Sequence, residues 1–291
     1  MEKINLSVER SFSDLITATI NFMKQEFVPF IRAFAVIGFP VILVVLYLIK
    51  DVLMSTFELS QHPQQYGDDF FGTMAINSMI SGLSTMIMAA WVQLFSICYL
   101  RVYWDHYREG VEERITISEV FSMMVRKFGV FIGWSFFYML IVIVGMLLFI
   151  VPGVYFAVAL TFGVYIVILK DKGFSSLMTD SMAMIKGHWW MTVGYVLVLQ
   201  LLVGVVGYVF SIPYAAVSMT SLFTGEVPGV YELTFTLLLS YLGQYTLYTV
   251  AFVGIGMLFF SRSEAMEHTT LLSRIDELGA QPENTANEVA D

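Results

Sequence analysis

Six long apolar stretches dominate the hydrophobic pattern of this sequence. About 20 helical residues cross the ~30 Å hydrocarbon core of a bilayer, and all but the fourth stretch reach that length comfortably. None shows the period of two that is typical of β-barrel strands. The pattern therefore predicts an all-α, polytopic membrane helix bundle with six transmembrane helices, because helices satisfy their own backbone hydrogen bonds in lipid. The six predicted spans are Phe27–Ile49, Met74–Leu100, Gly129–Val151, Gly153–Leu169, Trp189–Val217 and Tyr231–Phe260.

Three amphipathic segments precede the odd-numbered spans, near residues 11–24, 116–128 and 174–186. In each of them apolar residues recur every three or four positions, which places them on one face of a helix. Thr116 and Glu119 make a capping box at the start of the second segment. The sequence predicts three interfacial helices, whose apolar stripes are expected to contact both lipid and the spans of their own bundle.

Each amphipathic segment and the two spans after it form one unit, and the units start near residues 7, 115 and 173. A unit with two spans returns to its starting side, so the three units share one orientation. This arrangement predicts a parallel threefold repeat, unlike the inverted repeats of many secondary transporters. Between spans three and four, a tight turn is expected at Pro152–Gly153, because proline does not continue a helix.

The repeat divides the chain into a transmembrane domain over residues 1–262 and a tail over residues 263–291. Five acidic residues and no Lys or Arg lie between Asp276 and Asp291. This composition predicts a cytoplasmic, acidic and partly disordered tail. Within it, the stretch LLSRIDEL is expected to form one short docking helix.

Composition and charge agree with a membrane location. The chain is 57% hydrophobic and its mean hydropathy is +0.74, which excludes an ordinary soluble domain. Its net charge of −9 argues against nucleic acid as a partner.

The distribution of positive charge predicts the topology. All of its 15 Lys and Arg residues except Arg32 and Lys50 fall in the N-terminal region, after spans two and four, or after span six. The positive-inside rule then predicts that both termini are cytoplasmic. The run Phe27–Ile49 is expected to be retained as a signal anchor, because it is too long for a signal peptide and lacks a cleavage site.

The sequence offers little reactive chemistry. It contains four His residues without further ligands at metal-binding spacing, and one cysteine, Cys98, inside an apolar run. Phosphate-binding glycine loops and hydrolase motifs are absent. The sequence therefore predicts no catalytic residue, no metal site and no cofactor.

Polar residues within the predicted spans are the remaining candidates for a site. Gln93, Gln200 and Gln244 lie in three different spans, where their amides either line a cavity or, as the sequence favours, bond helices together. Glu232 lies at the outer start of span six. There it is expected to anchor the helix end rather than to couple ion transport.

One region resembles a known family. The stretch VPGVYFAVALTFGVYIVI and the following KDKGFSSLMTDSMAMIKGHWWMTVGY are similar to bacterial multi-pass proteins, including the membrane domain of some glycerophosphoryl diester phosphodiesterases. The resemblance covers about residues 145–205, implies a bacterial inner-membrane bundle, and does not carry over the activity of the soluble domain of those enzymes. The positions that carry it are Pro152, Gly153, Ser181, Lys186, Gly187 and Trp190.

Three functions remain open from the sequence. The favoured one is a non-enzymatic scaffold, assembly or regulatory component whose cytoplasmic helices and tail contact a protein partner. The alternative is a transporter or channel for a small or amphipathic solute, which a cavity lined by Gln93, Gln200 and Gln244 would favour. An intramembrane enzyme is the least favoured, because no nucleophile, metal cluster or carboxylate pair is evident. The sequence does not determine the oligomeric state.

Overall fold

The structure is a computed structural model that describes residues 4–173 and 176–279, without the side chains of 268–279. Within these residues the regular secondary structure is entirely helical, so the predicted all-α bundle is confirmed. Two short 3-10 turns, Pro63–Gln65 and Gly67–Asp69, join the first two helices. The α-helices are α1 (Phe12–Gln61), α2 (Phe70–Glu109), α3 (Ile117–Leu148), α4 (Ile150–Ala159), α5 (Gly163–Leu169), α6 (Leu177–Ile185), α7 (Trp189–Thr224) and α8 (Val230–Gly279).

Six helical segments in the described part of the chain are long and apolar enough to cross a membrane, in agreement with the predicted spans. They differ in the fraction of their most apolar stretch that is buried by the rest of the protein. The share is 61% in the segment Val230–Glu267, but only 17% in Ile117–Leu148 and 22% in Trp189–Thr224. The chain is thus a multi-pass membrane protein in which α3 and α7 present most of their apolar surface to lipid.

Three helical stretches form the centre of the bundle because they are buried on every side. They comprise residues 94–100 of α2, residues 162–169, which include α5, and residues 253–261 of α8. A helix that is apolar all round is stable in lipid or inside a bundle, and these three stretches are covered by other helices. The amphipathic segments of α1 and α6 supply part of this cover. Phe22 of α1, for example, packs edge-to-face on Tyr103 of α2, with 4.9 Å between ring centroids.

The first two predicted interfacial helices are not separate helices. Residues 12–24 are the first turns of the 50-residue α1, and residues 117–128 are the first turns of α3. A change from amphipathic to apolar sequence does not by itself end a helix. Helix α1 continues through Pro29, just after the first junction, and α3 continues through Gly129 at the second. The third segment is a helix separate from its span, because α6 ends at Ile185 and α7 begins at Trp189.

The predicted stripes contact protein on part of their length only. In α1 the stripe residues Leu15 and Thr19 are buried in the bundle, as is Phe22 beside the stripe, whereas Ile20 is exposed. In α3 the stripe is divided, since Val120 and Met124 are buried, while a second apolar face remains exposed to lipid. That exposed face consists of Phe121, Val125 and Phe128.

Helices α3 and α4 form a hairpin whose turn lies earlier than predicted. The turn residue is Phe149, with φ −158° and ψ 139°, and Pro152 lies in the first turn of α4, where the missing N–H of proline is tolerated. The two helices approach closely at their glycines, since a Cβ on Gly145 would lie 3.0 Å from the Cα of Gly153. No charged residue occurs between Lys127 and Lys170, and the turn exposes five large apolar side chains.

A break separates α4 from α5 and leaves backbone carbonyl groups without helical partners. The amide of Thr161 bonds to Val158, and that of Gly163 bonds to Leu160, so the carbonyls of Ala157 and Ala159 are released from the α-helical pattern. Hydroxyl groups replace the missing donors. Thr161 and Tyr138 donate to Ala157, at 2.9 and 3.1 Å. Ser181 donates to Ala159 at 2.7 Å. A break inside a membrane is tolerated when side chains satisfy the freed groups in this way.

The predicted units correspond to neighbouring helices in space. The most extensive packing joins α1 to α2, α3 to α4 and α7 to α8. Because the first two units begin with a continuous helix and the third with the separate α6, the threefold repeat stays a prediction. The predicted docking helix is the end of α8, which continues without interruption to Gly279. The rest of the predicted tail, residues 280–291, lies outside the described residues.

Candidate functional site

Long-range contacts bring the basic segments of the sequence to one end of the bundle. Ile4 donates its backbone N–H to Tyr103, and the backbone N–H of Arg10 donates to Ser261. We call this end, which also contains the loop between α5 and α6, the basic end. At the opposite end, Gln61 donates to Ser221 at 3.2 Å and joins α1 to α7.

The loop after α5 connects most of the helices at the basic end. Its three consecutive charged residues, Lys170, Asp171 and Lys172, each form ion pairs with different helices. We call these three residues the KDK loop. Lys170 bonds to Glu267 of α8 at 2.5 Å, and Lys172 bonds to Asp180 of α6 at 2.8 Å.

Asp171 is the central residue of the KDK loop. Its carboxylate pairs with Arg101 of α2 at 3.0 Å and also with Lys127 of α3. Arg101 pairs in addition with Asp105, one turn further along α2. The loop therefore links α2, α3, α6 and α8 by charge.

The backbone conformation of Asp171 and the pKa of its carboxyl group are both unusual at this central position. Its φ is +53°, a left-handed conformation that is uncommon outside glycine but is adopted by Asp and Asn. Burial raises the pKa of this carboxyl group, but hydrogen bonds and charge from Lys127 and Arg101 outweigh burial and lower the pKa below its ordinary value. The carboxylate is thus held in its ionised form.

A cavity of about 740 Å³ opens beside the KDK loop. It has a mixed character, since aromatic rings, cations and carboxylates all contribute to its walls. The rings of Trp104 and Phe260 lie 5.2 Å apart and form an apolar surface beside the charged groups. Other lining residues include Arg101, Arg108, Asp180 and Glu267. This arrangement can bind a polar or charged group through several ion pairs, although most of its charges are already paired within the protein.

The structure does not bring the predicted glutamines together. Gln93 lines a groove of about 510 Å³ between α2, α3 and the α4–α5 segment. Gln200 is exposed on α7, and Gln244 lies against α7 next to Gly207. Glu232 is exposed in the first turn of α8. The three amides therefore do not line one shared cavity.

The positions that carry the family resemblance have identifiable structural contacts. Lys186 (φ −57°, ψ 124°) and Gly187 (φ +78°) are the central residues of a type II turn, closed by a 2.8 Å bond from His188 N–H to the Ile185 carbonyl. This turn redirects the chain from α6 into α7. Trp190 is exposed beside Trp189, with 4.6 Å between ring centroids. Pro152 and Gly153 lie in the α3–α4 hairpin, and Ser181 caps the break described above.

Sequence reasoning missed the ion-pair partners at the basic end. Lys170 and Lys172 contributed only to the prediction of topology, and Asp105, Asp171 and Glu267 were not predicted to form a site. The spacing of Arg101 and Asp105, one helical turn apart, was the one local signal. Lys172 and Asp180 are eight positions apart on either side of the start of α6, and the other pairs join residues at least 44 positions apart, so no helical spacing indicates them.

In the described part of the chain, no group of three or more His, Cys, Asp or Glu side chains is arranged to hold a metal ion. No protein-family model matches the chain, and neither curated proteins nor solved structures gave a match. The resemblance to the membrane domain of glycerophosphoryl diester phosphodiesterases therefore stays a prediction.

Proposed function

We propose that the chain is a non-enzymatic scaffold, assembly or regulatory component of the bacterial inner membrane, with its basic end and both termini in the cytoplasm. The distribution of Lys and Arg supports this orientation, because positive residues are retained on the cytoplasmic side. The proposed partner is a protein that binds the end of α8.

The observation that carries this proposal is the continuity of α8. The helix is buried on all sides at residues 253–261, becomes exposed at Met266 and Glu267, and continues to Gly279. At 1.5 Å per residue, the part of α8 beyond Met266 is about 20 Å long. Because it continues a helix that is fixed in the centre of the bundle, its direction is set by that helix. Such an end suits a docking element better than a flexible tail does, since less conformational entropy is lost on binding.

The proposal is tested by interrupting α8 where it leaves the bundle. In Met266→Pro, the proline removes one backbone hydrogen bond and kinks the helix, at a cost of about 3 kcal/mol. Met266→Ala is the matched control, because alanine preserves the helix. Native mass spectrometry of the gently extracted protein should show the same co-purifying polypeptide with the wild type and Met266→Ala, and much less of it with Met266→Pro. The proposal fails if the wild type carries no polypeptide, or if the proline variant retains it equally.

The second candidate is transport of a small or amphipathic solute, and one observation favours it. The groove beside Gln93 contains a few polar groups in an otherwise apolar wall, and its exposed rim includes Ile132 and Phe136. This composition suits an amphipathic molecule that enters from the membrane. If this function is correct, Gln93→Leu abolishes solute flux in proteoliposomes, whereas Gln200→Leu, at an exposed position on α7, leaves it unchanged.

A further inference from the structure

A second groove lies beside the start of α3, near Gly129, where the third predicted span begins. It has a volume of about 460 Å³ and lies between the start of α3, the end of α5 and the KDK loop. Its apolar part contains Gly129, Val130, Gly133 and the buried Val167. We call it the Gly129–Gly133 groove.

Two glycines one helical turn apart create the open space in this groove. A Cβ added at Gly129 or at Gly133 would meet no atom within 4 Å apart from its own helix and chain neighbours. Both glycines are exposed, and so are Phe128 and Val130 beside them. Because α3 is one of the helices that face lipid, this open strip borders the hydrocarbon region. Its open space and apolar walls suit an acyl chain.

The other end of the groove is charged. Lys127, Lys172 and Asp171 line it, which gives two positive charges and one negative charge. The Asp171 carboxylate is already shared by Lys127 and Arg101, and Lys172 is paired with Asp180. The lining carries one net positive charge close to Gly129, where the third predicted span begins. Basic pockets between helices on the cytoplasmic side of a membrane, where this end is proposed to lie, are typical headgroup sites.

We propose that the Gly129–Gly133 groove binds one phospholipid with a single net negative charge, with its phosphate at Lys127 and Lys172 and one acyl chain along Gly129 and Gly133. A singly charged anionic headgroup matches the net charge of the lining. A zwitterionic headgroup would bring an additional cation next to the two lysines. The proposal is independent of any partner bound by α8.

The experiment is native mass spectrometry of protein from nanodiscs that contain phosphatidylglycerol and phosphatidylcholine in equal amounts. We expect one retained phosphatidylglycerol per protein. A basic residue near an anionic membrane surface contributes an amount equivalent to about a fivefold change in affinity. Lys172→Gln should therefore lower retention about fivefold, and Asp180→Asn, which frees Lys172 from its ion pair, should raise it. A merely structural role of Lys172 would not produce these opposite changes.

Steric variants test the other half of the proposal. Gly133→Leu fills the strip and should abolish retention of the lipid. Gly204→Leu is the control, because Gly204 is an exposed glycine of α7 that also has no neighbour within 4 Å. Equal retention in the two leucine variants would overturn the acyl-chain assignment. Equal retention of phosphatidylcholine, or displacement of the lipid by inorganic phosphate alone, would overturn the assignment of an anionic phospholipid.

Discussion

The contact between Gly163 and Trp134 allows a quantitative test of packing at the centre of the bundle. Trp134 of α3 is buried and lies directly on the backbone of α5 at Gly163. A Cβ at position 163 would be 1.8 Å from Cζ2 of the indole and 2.3 Å from Cε2. Carbon atoms in favourable contact are about 3.5–4.0 Å apart. Gly163→Ala therefore requires the indole ring or the α5 backbone to move by at least about 1.5 Å.

The expected magnitude follows from two opposing effects. Overpacking of a dense core costs about 1–3 kcal/mol, and a displacement of this size lies at the upper end of that range. Alanine recovers part of the cost, at most about 1 kcal/mol, because it favours the helix more than glycine does. We expect Gly163→Ala to reduce the free energy of unfolding by about 2 kcal/mol. Gly82→Ala is the control, because a Cβ at Gly82 meets no atom within 4 Å.

A double-mutant cycle separates this contact from a general effect on α5. Trp134→Leu alone should destabilise the protein by leaving a cavity. In the double variant the methyl group of alanine enters that cavity. The double variant should therefore lose less free energy of unfolding than the sum of the two single losses, by about 1 kcal/mol or more. Unfolding in mixed detergent micelles, followed by circular dichroism, measures all of these changes. Additive effects, or equal effects of Gly163→Ala and Gly82→Ala, would refute the assignment.

Three further predictions follow from the basic end and the helix connections. Because the folded-state pKa of Asp171 is lowered, its contribution to stability is present above its unfolded pKa and is lost as the pH falls below about 4. The free energy of unfolding, measured as a function of pH, should therefore fall less below this pH in Asp171→Asn than in the wild type. Asparagine is chosen because it tolerates the φ of +53°. Ser181→Ala leaves the buried Ala159 carbonyl without its donor and should lower the free energy of unfolding by about 1–3 kcal/mol. The same unfolding assay measures this change, and an unchanged stability would exclude the capping role. Gly187→Ala places a side chain at φ +78° and should cost about 1–2 kcal/mol; a neutral result would contradict the type II turn.

The sequence predicted the spans because lipid imposes a strong constraint on them. Segments such as Trp189–Val217 have no other stable environment, and the structure has a helix there. The boundaries were less predictable. The extent of α1 was not predicted, because the change from amphipathic to apolar sequence after Glu26 indicated a boundary between two helices. The hairpin turn was misplaced because Pro152 opens α4, whereas the prediction assumed that proline marks the turn.

The candidate site was predicted less well than the fold, for a physical reason. Helix periodicity reports which residues share a face, but it does not report which helices become neighbours. The ion pairs of Asp171 with Arg101 and Lys127 join residues that are 70 and 44 positions apart. The packing of Gly163 on Trp134 also depends on contact between different helices. By contrast, the capping box of Thr116 and Glu119 is local, and the structure contains it as predicted.

The uncharged α3–α4 hairpin has a consequence for how the protein enters its membrane during synthesis. A charged side chain in a translocated loop must be taken through hydrocarbon, and each one raises the barrier to insertion. Between Lys127 and Lys170 there is no such residue, and the turn at Phe149 is itself apolar. The hairpin can therefore cross the bilayer as a single unit. In the proposed orientation, the KDK loop that follows it stays on the side of synthesis and forms its ion pairs there.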